Sequence, residues 1–233
     1  MIPLGFTAFV LFGGVLVLLG ANQHELAESL SLDLSETGLL GAALAVGIGI
    51  GGVVAGPVVD RYPRRPVFLG AIVITGLALV SGDVEMSFSR ALVHVVLMGF
   101  GGGVYDTLLN TVAVERYREQ SSRPLSLLHA GASVGAVLAP PLIGWLSENH
   151  DWSWSFRTTG ASYLLFALWV AAVPLGSPEA HVATGKPAKS VWSPAIVALC
   201  AVAFAYVGVE GAITLFAVPY ACLLYTSPSP RDQ

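Results

Sequence analysis

Charge is what this chain lacks most. Its 233 residues include 11 Lys+Arg and 15 Asp+Glu, or 11% of the total, against about 25% in a water-soluble domain. That shortage argues against a soluble globular enzyme. It argues equally against disorder, which needs a polar, charge-rich chain. No basic tract is present and the net charge is −4, so nucleic acid is not an expected partner. Cysteine is almost absent. Cys200 and Cys222 cannot build a disulfide framework, and both read as small apolar residues. Nucleophile–base pairs, metal-ligand spacings and phosphate loops are missing too. Gly101-Gly102-Gly103 falls in the middle of an apolar run and is not a nucleotide loop. Neither catalysis nor a cofactor is expected.

Apolar residues fill the space instead. Hydrophobic residues make up 55% of the chain, and the mean hydropathy is +0.73. A helix crosses the ~30 Å hydrocarbon core in about 20 apolar residues. Seven runs meet that need: Ile2 to Ala21, Thr37 to Val59, Pro66 to Gly82, Ala91 to Val114, Pro124 to Ser147, Thr158 to Pro178 and Ser190 to Ala221. Backbone polar groups in lipid must pair within their own segment, so the runs predict helices rather than strands. The first run has no basic leader and no small-residue cleavage site, and reads as a retained helix. The expected class is an all-α integral membrane protein.

Arginine and lysine set the expected orientation. Arg61, Arg64, Arg65, Arg116, Arg118, Arg123, Lys186 and Lys189 fall on one side of the runs, and only Arg90 and Arg157 on the other. The amino terminus is therefore expected in the cytoplasm. Segment 176–191 is rich in Gly, Pro, Ala and Lys and reads as a cytoplasmic linker. It separates a six-helix bundle over 1–175 from a seventh helix over 192–221. The last dozen residues, CLLYTSPSPRDQ, look like a translated adapter sequence. The expectation is a reading frame cut within the seventh run, with 222–233 as a non-native tail.

An ionisable side chain inside lipid is costly, at least ~2.5–3.5 kcal/mol, and is a functional candidate by default. Asp106 and Glu210 are the two acids so placed. In the fourth run Gly99, Gly102, Gly103, Asp106, Thr107 and Asn110 recur at three- and four-residue spacing. Asp106 and Asn110 lie about 40° apart around a helix axis, so the small and polar residues are expected on one face, turned toward protein or water. The pair serves either a solute pathway or a bundle-locking hydrogen bond. In the fifth run Ser126, His129 and Ser133 form a stripe, with His129 expected at the depth of Asn110 and Ser133 at that of Asp106. His129 beside a carboxylate is suited to proton transfer, to solute contact or to plain packing. In the seventh run Tyr206 and Glu210 stand one turn apart, beside Gly208 and Gly211.

The stretch Gly56-Pro-Val-Val-Asp60-Arg61-Tyr-Pro-Arg64-Arg65 resembles the signature loop of the major facilitator superfamily. That pattern is Gly, three residues, Asp, a basic residue, any residue, Gly and two mostly basic residues. Gly56, Asp60, Arg61, Arg64 and Arg65 fit it, and Pro63 replaces the second Gly. Asp60 is expected to be held by the neighbouring guanidinium groups. Gly47, Gly51, Gly52 and Gly56 in the same run predict close approach of a neighbouring helix.

The Asp-Thr-x-x-Asn stretch, the histidine opening the fifth run and Tyr-x-Gly-x-Glu-Gly in the seventh resemble sugar symporters of that superfamily, of the fucose:proton and sodium-dependent glucose type. The resemblance implies an amino-terminal six-helix bundle plus a partial seventh helix of a twelve-helix fold. It implies alternating access, a small polar solute, a sugar, and H+ or Na+ as coupling ion. Asp106 would take part in coupling, with Asn110 and His129 along the cavity. It also implies that Asp60 latches an inside gate and that the partner of this half is the carboxy-terminal half of the same transporter. The acid that the fucose type carries in its first helix is absent here, and its slot falls near Gly20. Half of a two-sided cavity is expected not to transport alone. Two other functions stay open. Gly135-x-x-x-Ala-Pro140 with Gly144 partly resembles the motif of drug:proton antiporters, although the arginine such exporters carry in the fourth helix is absent around Val95 to Leu97. A non-transporting receptor or structural bundle is the third reading.

Overall fold

The computed structural model describes residues 2–172 and 193–225. The described residues form helices and connections, with no strand among them. The chain divides into two compact units, Met1–Ser177 and Pro178–Gln233. The first holds α1 (Ile2–Ala21), α2 (Gln23–Ser29), α3 (Leu34–Arg61), α4 (Arg64–Val80), α5 (Phe88–Tyr117), a 3-10 turn (Arg118–Gln120), α6 (Ser122–Asn149) and α7 (Ser153–Ala172). The second holds α8 (Pro194–Tyr225). The expected linker over 176–191 and residues 226–233 of the expected tail lie outside the described residues.

Each long helix corresponds to one apolar run, with ends set by local chemistry. Asp33 starts α3 through a reciprocal box: its carboxylate accepts from the Glu36 N–H at 2.7 Å, and its own N–H donates to the Glu36 carboxylate at 3.0 Å. Ser87 caps α5, accepting from the Arg90 N–H at 3.4 Å, and Ser193 accepts from the Ile196 N–H at the start of α8. At the start of α7, Asp151 accepts from both the N–H and the hydroxyl of Ser153. The side-chain bond from Ser153 holds the Asp151 carboxyl below its usual range.

Among the described residues, five helices suffice by length and hydropathy to cross a membrane: α1, α3, α5 with its 3-10 turn, α6 and the Pro194–Ile213 part of α8. The third run yields an α4 of only 17 residues, at the lower end of what spans a bilayer. The sixth run is joined by a polar first turn, Ser153-Trp-Ser-Phe-Arg157, which dilutes α7. The short helix α2 was not anticipated, because its seven residues, QHELAES, carry no apolar periodicity.

Within the first unit, α3 packs along α5, α1 along α6, and α4 against both α5 and α7. Glycine makes the first two pairings possible. A Cβ added at Gly47 or Gly51 would overlap the carbonyl oxygen of Val96 or Phe100 on α5. One added at Gly99 or Gly103 would overlap that of Leu44 or Ile48 on α3. On the other pair, Gly13 meets the Ala132 carbonyl and Gly135 the Val10 carbonyl. Backbone thus lies on backbone, the contact that drives association where lipid removes the hydrophobic term. Gly56, expected in the same role, has open space around it.

The core sits where α1, α4, α5 and α7 meet. The Tyr105 ring contacts Phe12 and Phe68 edge-on, and Phe68 contacts Phe166. The hydroxyls of Tyr105 and Tyr163 share a 2.7 Å hydrogen bond in the fully buried centre. That bond satisfies two groups that would otherwise be stranded away from water. It also fixes the rotation of α5, and so the direction of its neighbour Asp106.

Candidate functional site on helices α5 and α6

The glycine and polar positions of α5, expected as one face, divide between two. Gly99 and Gly103 press on α3, and Thr107 follows them, its hydroxyl 3.4 Å from the Cβ position of Gly52. Gly102 faces the Phe12 ring of α1, with a Cβ there 2.9 Å from the ring edge. Asp106 and Asn110 continue that second row at four-residue steps. The reason is close packing on two sides: α5 needs small residues toward both α1 and α3.

Asp106 and Asn110 are half-buried. The Asn110 amide N–H donates to Asp106 Oδ1 at 3.2 Å. Asn110 Oδ1 is buried without a hydrogen-bond partner, which leaves an acceptor unused beside a carboxylate. His129 lies within electrostatic reach of Asp106. Its ring packs edge-on against Phe9 of α1, 4.9 Å between centroids. His129 and Ser133 are exposed on α6, and Ser133 makes no side-chain hydrogen bond among the described residues. The strip therefore offers carboxylate, amide, imidazole and hydroxyl, with no guanidinium or ammonium. Tyr206 and Glu210 lie one turn apart on α8, in the second unit.

The signature loop differs from its expected geometry in one respect. Only Tyr62 and Pro63 connect α3 to α4. Pro63 has φ −57°, which the pyrrolidine ring favours, so this turn has no need of the glycine that the pattern carries. Asp60 and Arg61 are exposed and Arg65 is half-buried. Asp60 makes no ion pair among the described residues, contrary to the expected clamp by its neighbours. Arg64 instead begins α4 and pairs with Glu115 in the last turns of α5. The helix start carries the guanidinium away from Asp60, and packing of α4 on α5 supplies the acid. Glu115 was missed by sequence reasoning, although an acid ending an apolar run among arginines was a usable signal.

The Arg64 side chain is 14% exposed and Glu115 38%. Removing one partner of a buried pair costs about 3–5 kcal/mol, but partial exposure screens this one. Glu115→Ala is expected to lower bundle stability by about 1–2 kcal/mol, read by chemical denaturation in detergent. Arg64→Met combined with Glu115→Leu should recover most of it. Equal stability of Glu115→Ala and wild type would show the pair to be energetically idle.

A second feature escaped the sequence reading. Asn22 and Gln23 are buried to 1% and 5% exposure. Asn22 donates to the Leu18 carbonyl at 2.8 Å and Gln23 to the Thr37 hydroxyl at 3.3 Å. The first closes the end of α1, and the second ties the break between α1 and α2 to α3.

A bundle of membrane-length helices paired through glycine is the frame of a helical membrane protein. The chain belongs to the Major Facilitator Superfamily, whose family model matches residues 4–228. It is 27% identical over 196 residues to the cis,cis-muconate transport protein of Acinetobacter baylyi, covering 80% of this chain and 46% of that one. It is 23% identical to the hexuronate transporter of Bacillus subtilis, covering 80% and 46%. Its fold is similar to the crystal structure of a bacterial homologue of the human lysosomal transporter Spinster, in an inward-facing, unoccupied conformation. The TM-score is 0.71 at 18% identity, over 97% of this chain and 56% of that one. The chain thus spans about half the length of the relatives it matches. It is an integral membrane protein of a family whose relatives carry diverse metabolites.

Proposed function

We propose that this chain is part of a secondary transporter that moves a small neutral polar solute, a sugar, by alternating access in the cell membrane, its amino terminus in the cytoplasm. The strip of Asp106, Asn110, His129 and Ser133 is one wall of the solute path. Tyr206 and Glu210 of the seventh run are a second candidate pair, and Gly56, Asp60, Arg61, Arg64 and Arg65 form the gating end. H+ or Na+ is the coupling ion. The partner of this half is the carboxy-terminal half of the same transporter. Family folds bind solute near the midplane between two halves.

One observation carries the choice of solute. The strip holds a carboxylate and an unused amide oxygen, and no guanidinium or ammonium. Hydroxyl donors suit such a surface. The relatives named for muconate and hexuronate carry anions, for which a guanidinium or ammonium is the fitting partner, and this wall has none. A second reading, a drug:proton antiporter, is favoured by Gly135 and Pro140 on α6 and by the same carboxylate, which suits an organic cation.

Binding to the chain in lipid nanodiscs distinguishes these readings. Saturation-transfer NMR with a neutral hexose, a hexuronate and a quaternary ammonium probe is expected to show the hexose bound most tightly. Preference for the hexuronate would overturn the neutral-solute reading. Preference for the ammonium probe would establish the antiporter reading in its place.

A further inference from the structure

Helix α1 carries no ionisable residue, yet it bears on where two candidate site residues stand. Asp106 is on α5 and His129 on α6. These two helices touch only sparsely, whereas α1 packs along α6. His129 is exposed, and its ring makes no hydrogen bond among the described residues. An imidazole without a polar anchor is free to move among its rotamers. What this one meets is Phe9 of α1, edge-on, with 4.9 Å between centroids and 73° between planes, a favoured geometry for paired rings. Phe9 is itself fixed. It is 0% exposed, and its Cβ lies 3.3 Å from the point where a Cβ on Gly131 would stand, so α6 closes directly on it. The Phe9 ring contacts Phe12 edge-on, and the Phe12 ring contacts Tyr105 at 5.6 Å and rests on Gly102. One series of edge-to-face rings, His129, Phe9, Phe12 and Tyr105, thus runs from α6 through α1 to α5. It ends on the residue before Asp106.

We propose that Phe9 is a positioning residue, which holds the His129 imidazole in the orientation seen here for contact with the solute. This rests on the reading of Asp106, Asn110 and His129 as a wall of the solute path. A side chain that is already ordered offers its hydrogen bond without the ordering cost that would otherwise be taken from affinity. A phenylalanine suits this task better than a polar anchor, because it leaves both ring nitrogens of His129 to the solute.

The test is a double-mutant cycle on the affinity of a neutral hexose, measured by saturation-transfer titration with the chain in nanodiscs. Phe9→Met stays apolar and fills most of the space, but it removes the ring edge. It is expected to weaken the hexose by roughly tenfold, the worth of one well-placed hydrogen bond. His129→Gln should weaken it by a similar factor, and Phe9→Met added to His129→Gln should weaken it no further. If Phe9 only packs, the two losses multiply, and that result overturns the proposal. So does unchanged affinity in Phe9→Met where His129→Gln binds weakly, in which case the solute wall stands and the positioning role alone falls. Unchanged affinity in His129→Gln would remove His129 from the wall and the inference with it. Absence of hexose binding to wild type would sink both readings. Histidine NMR of the wild type gives an answer that does not require a Phe9 variant to fold. The His129 ring signals, identified by their loss in His129→Gln, should show a ring-current displacement and a rigid side chain. A His129 ring as mobile as that of the exposed His24 overturns the proposal.

Discussion

Asp106→Asn is expected to weaken solute binding about ten- to a hundredfold and, in the same molecule, to stabilise the bundle. The two effects have one cause. The substitution is isosteric, and Asn keeps the Oδ1 acceptor that takes the Asn110 amide N–H at 3.2 Å. The charge is removed, and the other carboxylate oxygen becomes an NH2 donor. A hydrogen bond to a charged group contributes about 1.5–3 kcal/mol, and its loss from a solute hydroxyl gives the stated range of affinity. A charged residue at depth also costs at least ~2.5–3.5 kcal/mol on insertion scales, so the neutral variant should resist denaturation better. A bundle-locking role predicts the reverse order, with binding untouched and stability unchanged or lower. Titration of the hexose and chemical denaturation, run on the same preparation, separate the two. Unaltered hexose affinity in Asp106→Asn would remove this residue from the solute path.

Gly103→Leu should prevent the first unit from assembling at all. A Cβ at this position already overlaps the Ile48 carbonyl oxygen, which belongs to the backbone of α3 and has no rotamer in which to escape. Overpacking of a core by side chains costs about 1–3 kcal/mol, and displacing a helix axis costs more. Gly47, Gly51 and Gly99 line the same seam, so α3 would separate from α5 along its length. The expected result is loss of the monodisperse peak in size-exclusion chromatography in detergent. Gly56→Ala and Gly49→Ala are the controls. Both positions have open space around them, and each change should gain about 0.5–1 kcal/mol from helix propensity. A well-folded Gly103→Leu would mean that the α3–α5 seam does not hold the bundle.

Much of the site was legible before the fold was known, for a local reason. An acid inside an apolar run is conspicuous, and four-residue spacing puts Asn110 on its side of the helix wherever that helix is placed. Counting inward along α5 and α6 put His129 at the depth of Asn110 and Ser133 at that of Asp106, and His129 lies within electrostatic reach of the acid. Rotation was not legible. The small residues of α5 looked like one face because glycine and aspartate both suit a polar wall. Only the neighbours show that Gly99 and Gly103 serve α3 while Gly102 and Asp106 turn to α1. Asp60 misled for a similar reason. Sequence proximity to Arg64 suggested a pair, whereas a helix start carried Arg64 to Glu115, 51 residues away.

The amino-acid sequence by itself determined that this is a helical membrane protein, where its long helices lie, and that two acids, Asp106 and Glu210, fall within apolar runs. Hydropathy and charge are properties of short segments, and lipid enforces them segment by segment through the backbone hydrogen bonds it cannot satisfy. The tertiary structure alone decided which helix each face meets. That choice rests on contacts between segments far apart in the chain, such as the Tyr105–Tyr163 hydroxyl bond across 58 residues. Packing complementarity has no signature in any one segment, because half of each fit belongs to the partner.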